Sequence, residues 1–507
     1  MDRKTLALRN SSIGLASQIV AIVFQFITRS IFVKYLGVEL LGISSTFSSV
    51  LNTLSLAELG FQSAIIYSLY KPLANNDYEA INKIIGVLKI IYRCVGIFFI
   101  FAGVICLPIL KYILTEVEIN QTIYTIFIIQ VANSAASYFL AYKRSLLFAD
   151  RREFITKIVD TVTNVIFNIL KIVVVIKTSD YVIYITLTTI QTITSNLIIH
   201  IVCGHIYPFL KRTPFDVKLF KAIWNNVKNL FLGKLAFYVY SSTDNIVVSA
   251  LVSTVSVGFM VNYTTVIANL KTLANSIFNP ITPIIGNIVA SDDKANTEKI
   301  FQVYTYVRYI LAFVIITPTI VLIQDFISAW VGNEYLLSNI IIWLYGLDLY
   351  IFFVHGPLCD YINTNGLFKD DRNISVIGAT CNIVLSIALA KICGIAGVLI
   401  GTVISQSVFW ILRSRTVYRK VFKSNLLSYW SRNFQYTAIF IALTALLDKL
   451  YMLLPITNFL VRFICGGILC EIASVVVLQL VFGNTMENMY LKNIVLKRIL
   501  KNKVEDR

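Results

Sequence analysis

Apolar residues in this chain come in runs near twenty long, bounded by short polar and basic stretches, rather than in the mixed periodic pattern of a water-soluble domain. Runs long enough to cross about 30 Å of hydrocarbon fall near 11–33, 40–66, 84–108, 121–142, 154–176 and 181–203. A basic gap follows at 204–228, GHIYPFLKRTPFDVKLFKAIWNNVK, and six more runs lie near 229–251, 257–287, 300–323, 337–358, 373–390 and 394–412. A last pair, near 434–454 and 458–482, precedes a basic tail ending KNIVLKRILKNKVEDR. The pattern predicts an all-α integral membrane protein with fourteen transmembrane helices. Its segments are a six-helix bundle over 1–203, a cytoplasmic basic linker over 204–228, a second six-helix bundle over 229–412 and a cytoplasmic basic loop over 413–433. Transmembrane helices 13 and 14 then occupy 434–482, and a basic cytoplasmic tail 483–507.

Composition agrees. Of 507 residues, 57% are hydrophobic and 14% charged, against about 25% charged in an average soluble protein. Mean hydropathy is +0.75, which excludes a soluble enzyme. Cysteines 94, 106, 203, 359, 381, 393, 465 and 470 lie in or beside apolar runs without metal-ligand spacing, so they read as small packing residues, not a disulfide framework or a zinc site. The polar start MDRKTLALRNSS leads into an apolar run with no small-residue cleavage pattern, so the first helix is expected to be retained.

The net charge of +17 becomes informative once each Lys and Arg is placed on the fourteen-span layout. With both ends inside, the cytoplasmic segments hold 31 and the outer connections 5, namely Lys34, Lys111, Lys177, Lys391 and Lys449. Such a bias is the positive-inside signature, and it assigns the excess charge to topology rather than to nucleic acid. Trp224, Trp410 and Trp430 then fall near the inner interface and Trp330 near the outer one. An internal repeat follows the same layout. Residues 147–152 read LFADRR and residues 367–372 read LFKDDR, each between the fourth and fifth spans of its half. Gly42 and Gly258, Lys89 and Arg308, and Gln191 and Gln406 recur at similar offsets. Because six is even, the two halves are expected to be parallel repeats about an axis along the membrane normal, with substrate between them.

No outer connection exceeds about fifteen residues, which leaves no room for an extracytoplasmic catalytic domain and counts against membrane glycosyltransferases, polymerases and ligases. Phosphate-binding loops and metalloprotease motifs are absent, and His200, His205 and His355 are scattered. The chemistry therefore lies in charges within the spans. Arg29, Lys89, Arg93, Lys171, Lys234, Lys271, Arg308 and Arg462 face five acids, Glu58, Asp160, Asp244, Asp348 and Glu471. At about 2.5–3.5 kcal/mol each in lipid, most must face protein or a wet cavity. Lys171, Arg462 and Lys89 lie near helix ends and have an interfacial alternative; for Lys271, Arg308 and Asp348 the alternative is an ion pair inside the bundle. Three polar stripes argue for a hydrated path. They are Asp160, Asn164, Asn168 and Lys171; Asn262, Asn269, Thr272, Ser276 and Asn279; and Ser48, Asn52, Ser55 and Gln62. Asn279-Pro280 with Pro283, and Pro318, should kink or break their helices.

The stretch Arg29-Ser30-Ile31-Phe32-Val33-Lys34-Tyr35-Leu36-Gly37-Val38-Glu39-Leu40-Leu41-Gly42, then Leu56-Ala57-Glu58-Leu59-Gly60, resembles the opening of Wzx-type polysaccharide flippases. These belong to the multidrug/oligosaccharidyl-lipid/polysaccharide exporter (MOP) superfamily. Tyr207-Pro208, Ser242-Thr243-Asp244-Asn245, Val257-Gly258-Phe259-Met260-Val261-Asn262-Tyr263 and Ile285-Gly286-Asn287 are similar to it too. The resemblance implies a MATE-like arrangement of two six-helix repeats plus two C-terminal helices. It also implies a non-enzymatic transporter of the bacterial cytoplasmic membrane, moving undecaprenyl-diphosphate-linked glycan outward for capsule, O-antigen, teichoic acid or exopolysaccharide assembly. Membrane lipids and other polysaccharide-assembly proteins are the partners expected, with no nucleic acid, no cofactor and no metal. Excess intramembrane cations suit such a cargo, and the substrate-binding candidates are Arg29, Lys89, Arg93, Lys271 and Arg308. Lys89 and Arg308, equivalent in the repeat, are expected to clamp the diphosphate. If sodium or protons drive transport, the coupling candidates are Asp244, Glu58, Asp160 and Asp348. An ion-coupled multidrug exporter of the same superfamily is the alternative within transporters, and a membrane glycosyltransferase or polymerase the alternative outside them.

Overall fold

A computed structural model of the chain describes residues 3–54, 61–139, 141–211, 213–221, 223–224, 242–282, 285–286, 294–456 and 458–492. Among these, every regular element is helical, the arrangement by which a lipid-embedded backbone satisfies its N–H and C=O groups internally. Eight of the helices are long and apolar enough to cross a membrane, or nine if the bent pair Gln121–Phe139 and Ala141–Ala149 forms one span. The chain is a multi-pass membrane protein.

Two expected pairs of spans are each joined without a loop. The helix Arg3–Leu54 is interrupted only at Gly37 (φ 84°, ψ 166°) and the helix Phe368–Val417 only at Gly394 (φ 58°, ψ −134°). Both are backbone conformations that glycine reaches without steric penalty. Beyond Gly394 the chain doubles back, so that Asn382 donates to Thr402 Oγ1 at 3.1 Å and Ser386 to the Val398 carbonyl at 3.4 Å. One connection between consecutive helices is short and capped. Ser179, left-handed at φ 48°, ends Glu153–Thr178, and the Asp180 carboxylate accepts from the Val182 and Ile183 amides at 2.7 and 3.2 Å to start Tyr181–Ile206. Of the two sites where proline was expected to kink or break its helix, one shows a break: Thr254–Phe278 passes into a 3₁₀ turn at Asn279–Ile281. Pro318 lies inside the continuous helix Lys294–Trp330.

The molecule divides into two units, Met1–Val261 and Asn262–Arg507. In the first, Arg3–Leu54 packs along Glu153–Thr178, Tyr78–Cys106 along Gln121–Phe139, and Tyr181–Ile206 against both Gln121–Phe139 and Glu153–Thr178. Gly42 and Gly258, which recur at a similar offset in the sequence, meet here. A Cβ on Gly42 would lie 2.1 Å from the Thr254 carbonyl oxygen, and one on Gly258 would lie 2.2 Å from that of Val38. Small residues let lipid-embedded backbones approach in this way. Beside them Ser249, Thr254 and Thr115 share hydrogen bonds of 2.5–3.0 Å.

In the second unit the last two helices, Leu426–Met452 and Phe459–Phe482, dock on Lys294–Trp330. Tyr309 stacks on Tyr436 at 4.1 Å and Tyr350 on Phe440 at 4.5 Å. The hydroxyl of Tyr309 donates to the Tyr436 carbonyl at 3.1 Å.

Candidate functional site

Lys89 and Arg93 lie one turn apart on one face of Tyr78–Cys106 and line a cavity of about 590 Å³ in the first unit. Lys143, from the 3₁₀ turn Ala141–Lys143, and Lys211, just beyond Tyr181–Ile206, line it as well, and among the described residues no acid does. The wall is built by local bonding. Asn82 donates to the Phe209 carbonyl at 3.0 Å and accepts from the Lys211 amide at 2.8 Å, while Thr213 donates to the Asn82 carbonyl at 2.9 Å. These bonds strap Phe209, Lys211 and Thr213 across the helix. Lys143 Nζ donates to the His200 carbonyl at 3.1 Å, and Lys89 Nζ lies 5.9 Å from the Tyr142 ring centre. At the foot of the strap the Tyr207 hydroxyl donates to Asp150 at 2.6 Å, and burial together with that carboxylate holds the phenol far above its usual pKa. Four lysine and arginine side chains around one acid-free cavity repel one another, and an anion relieves the repulsion.

A second cavity, of about 530 Å³, lies next to the first along the chain. Arg144 grips Asp160 in a fork, Nη1 and Nη2 each 2.8 Å from a carboxylate oxygen, and its Nε donates to Asn196 at 2.9 Å. Ser195 donates to Asp160 at 2.5 Å. The stripe read from the sequence continues as a ladder: Asn168 donates to Asn164 at 2.5 Å, Gln191 to Asn164 at 3.4 Å, and Lys171 to Gln191 at 3.1 Å. Lys171 is buried within this ladder, 6% exposed. A third cavity, of about 510 Å³, shares Asn164 and is lined by Arg29, Gln25, Ser44, Ser48 and Tyr184 among others. The Arg29 Nη1 atom is buried there without a hydrogen-bond partner.

The other two cations proposed from sequence sit in the second unit, each engaged with an acid. Lys271 pairs with Asp348 at 2.6 Å, and Gln406 donates to the same carboxylate at 3.5 Å. Arg308 pairs with Asp360 at 3.1 Å, donates to the Tyr304 hydroxyl at 2.9 Å and lies 4.0 Å from the Phe278 ring centre. Lys89 and Arg308, equivalent in sequence, thus have different surroundings: a cavity without acids, and a buried ion pair. Among the coupling candidates, Asp160 and Asp348 are ion-paired, and Asp244 adjoins Asn245, which donates to Ser49 at 3.0 Å. Glu58 and Lys234 lie outside the described residues. Sequence reasoning missed Lys143, Arg144, Lys211 and Asp360, all assigned to connections. The helix Asn339–Thr364 outruns its hydropathy signal and carries Asp360 to Arg308. Among the described residues no group of His, Cys, Asp and Glu could hold a metal ion.

The fold is shared with solved transporters at low sequence identity. A structure titled as the lipid II flippase MurJ in an inward closed conformation matches with TM-score 0.67 and 15% identity, over 92% of this chain and 98% of that one. An inward-facing multidrug resistance MATE family transporter of the MOP superfamily matches with TM-score 0.59 and 13% identity, over 79% and 96%. A mutant of the Vibrio cholerae MATE transporter VcmN matches with TM-score 0.54 and 13% identity, over 83% and 98%. No curated protein matches the chain in sequence. The family model described as polysaccharide biosynthesis protein matches residues 7–289, more than half of the chain. As the sequence resemblance implied, the chain belongs to the polysaccharide biosynthesis protein family, on the fold of the MOP-superfamily transporters.

Proposed function

We propose that the protein is a flippase that carries an undecaprenyl-diphosphate-linked oligosaccharide from the cytoplasmic to the outer leaflet of the bacterial cytoplasmic membrane, by alternating access. The observation that carries this reading is the acid-free cavity of Lys89, Arg93, Lys143 and Lys211. A diphosphate withdrawn from water needs charge-assisted donors in low dielectric, and a set of convergent cations supplies them. Membership in a polysaccharide biosynthesis family supports a glycan cargo, and the fold shared with a lipid II flippase supports a lipid-linked one. The two neighbouring polar cavities, and the exposed Thr272 and Ser276 on the helix Thr254–Phe278, support a hydrated route for sugars. In this reading fourteen spans form two parallel six-helix repeats and a C-terminal pair, with both termini cytoplasmic, as the 31-to-5 distribution of loop cations favours. If transport is ion-driven, Asp244 is the preferred coupling carboxylate.

Depletion of the protein tests the reading. Lipid-linked oligosaccharide is expected to accumulate on the cytoplasmic leaflet, inaccessible to an impermeant glycan-modifying enzyme in sealed cells and accessible in inverted vesicles. Undiminished arrival at the outer leaflet would end it. Glycosidic-bond synthesis or cleavage by the purified protein would move it to the enzyme class.

A further inference from the structure

The second cavity is built differently from the cationic one. Arg144 spends its fork on Asp160 and its Nε on Asn196, so the strongest charge in the wall is already neutralised. What remains facing the cavity is a set of neutral donors and acceptors. Asn164 uses Oδ1 within the ladder and leaves its NH₂, while Gln191 contributes only a long 3.4 Å bond from its own. Thr163 and Thr192 donate to the carbonyls of Val159 and Thr188, which leaves hydroxyl lone pairs as acceptors. Asp160 is 43% exposed, with carboxylate surface still available to hydroxyl donors. A wall of planar amides, hydroxyls and one ion-paired carboxylate, with no net charge, suits a polyhydroxylated, uncharged ring. The cavity's size, about 530 Å³, falls among small-molecule sites of about 300–1,000 Å³.

Its position completes the argument. The two cavities are lined by residues that are neighbours along the chain: Arg93 and Tyr92 on one helix, Lys143 and Arg144 at the junction of the 3₁₀ turn with the next helix, and His200 and Asn196 one turn apart on Tyr181–Ile206. They share these walls, as a diphosphate and the sugar bonded to it would require. We propose that the Asp160 cavity is a neutral-sugar subsite, taking the hexose or N-acetylhexosamine attached directly to the diphosphate. This rests on the reading of the Lys89–Arg93 cavity as the diphosphate site.

The test measures binding of two probes to the purified full-length protein in lipid nanodiscs: undecaprenyl diphosphate, and undecaprenyl-diphosphate-linked N-acetylglucosamine. The parent is expected to prefer the glycosylated probe by about tenfold, the worth of one or two net hydrogen bonds. Asn164→Ala with Gln191→Ala should erase that preference while leaving affinity for the bare probe unchanged. Because removing Gln191 strips Lys171 of its acceptor, Thr192→Phe serves as a second variant that fills the cavity and keeps the ladder, with the same expected outcome. Lys89→Ala with Arg93→Ala should weaken both probes equally. A parent without preference, or a preference that survives in Thr192→Phe, overturns the sugar subsite alone. Failure of the parent to bind either probe overturns the diphosphate reading, and the subsite with it.

Discussion

Replacing Arg308 by methionine removes the guanidinium and keeps an apolar side chain of similar reach. The Arg308 side chain is 6% exposed and that of Asp360 16%, so the substitution strands a carboxylate in a dry site. Removing one partner of a buried pair costs about 3–5 kcal/mol. Asp360 keeps hydrogen bonds from Tyr304 at 2.8 Å and Thr282 at 3.0 Å, which places the expectation near the lower end, about 3 kcal/mol. That is about two orders of magnitude in the folding equilibrium. Adding Asp360→Leu removes the stranded charge and should recover most of the loss, since a well-packed apolar pair is often as stable as the ions it replaces. The assay is unfolding by sodium dodecyl sulfate in mixed micelles, read beside membrane abundance and abundance-normalised flipping of lipid-linked glycan. The single variant should lose stability and abundance, and the double variant should regain both together with transport. A single variant with parental stability and abundance that nevertheless fails to flip would refute the reasoning and return Arg308 to the cargo.

Lys89→Ala and Arg93→Ala should behave in the opposite way, with normal abundance and a loss of about 2–5 kcal/mol in cargo binding, read as flipping per molecule; parental flipping in the double variant removes the diphosphate site. Gly42→Ala and Gly258→Ala should each destabilise by about 1–3 kcal/mol through overpacking, and their combination should cost less than the sum because both open one contact, as detergent unfolding would measure. An impermeant thiol reagent in intact cells lacking native cysteines should label cysteines placed at Ser179 and Lys391 but not at Arg151, Lys218, Arg419 or in the tail; labelling at Arg419 with none at Ser179 would invert the topology. Asp244→Asn should abolish the response of transport to sodium or proton gradients, and an unchanged response in reconstituted vesicles would remove Asp244 from coupling.

Features that depend on periodicity along one helix were legible in the sequence. Lys89 and Arg93 share a face because they are four apart, and Asp160, Asn164, Asn168 and Lys171 form a stripe that the structure uses as a hydrogen-bond ladder. Features that depend on which helix faces which were not. Nothing in the local pattern joins Arg144 to Asp160, or Lys211 to Lys89, because those neighbours are set by tertiary packing. The contact between Arg308 and Asp360 was hidden for a related reason. Hydropathy ends the 337–358 run before Asp360, while the helix itself continues to Thr364, since a helix need not stop where the hydrocarbon does. Pro318 was expected to kink or break its helix; its missing N–H frees the Val314 carbonyl, and the helix continues to Trp330.

The two glycine reversals, Gly37 and Gly394, bear on how the molecule meets the world outside the membrane. Where two spans are joined by a single residue, no stretch of extended backbone projects for a protease to bind, an antibody to recognise or an inserted tag to occupy. The tips at Gly37 and Gly394 should therefore be silent in limited proteolysis and intolerant of insertion, unlike the turn Asn333–Tyr335 and its flanks between Trp330 and Asn339.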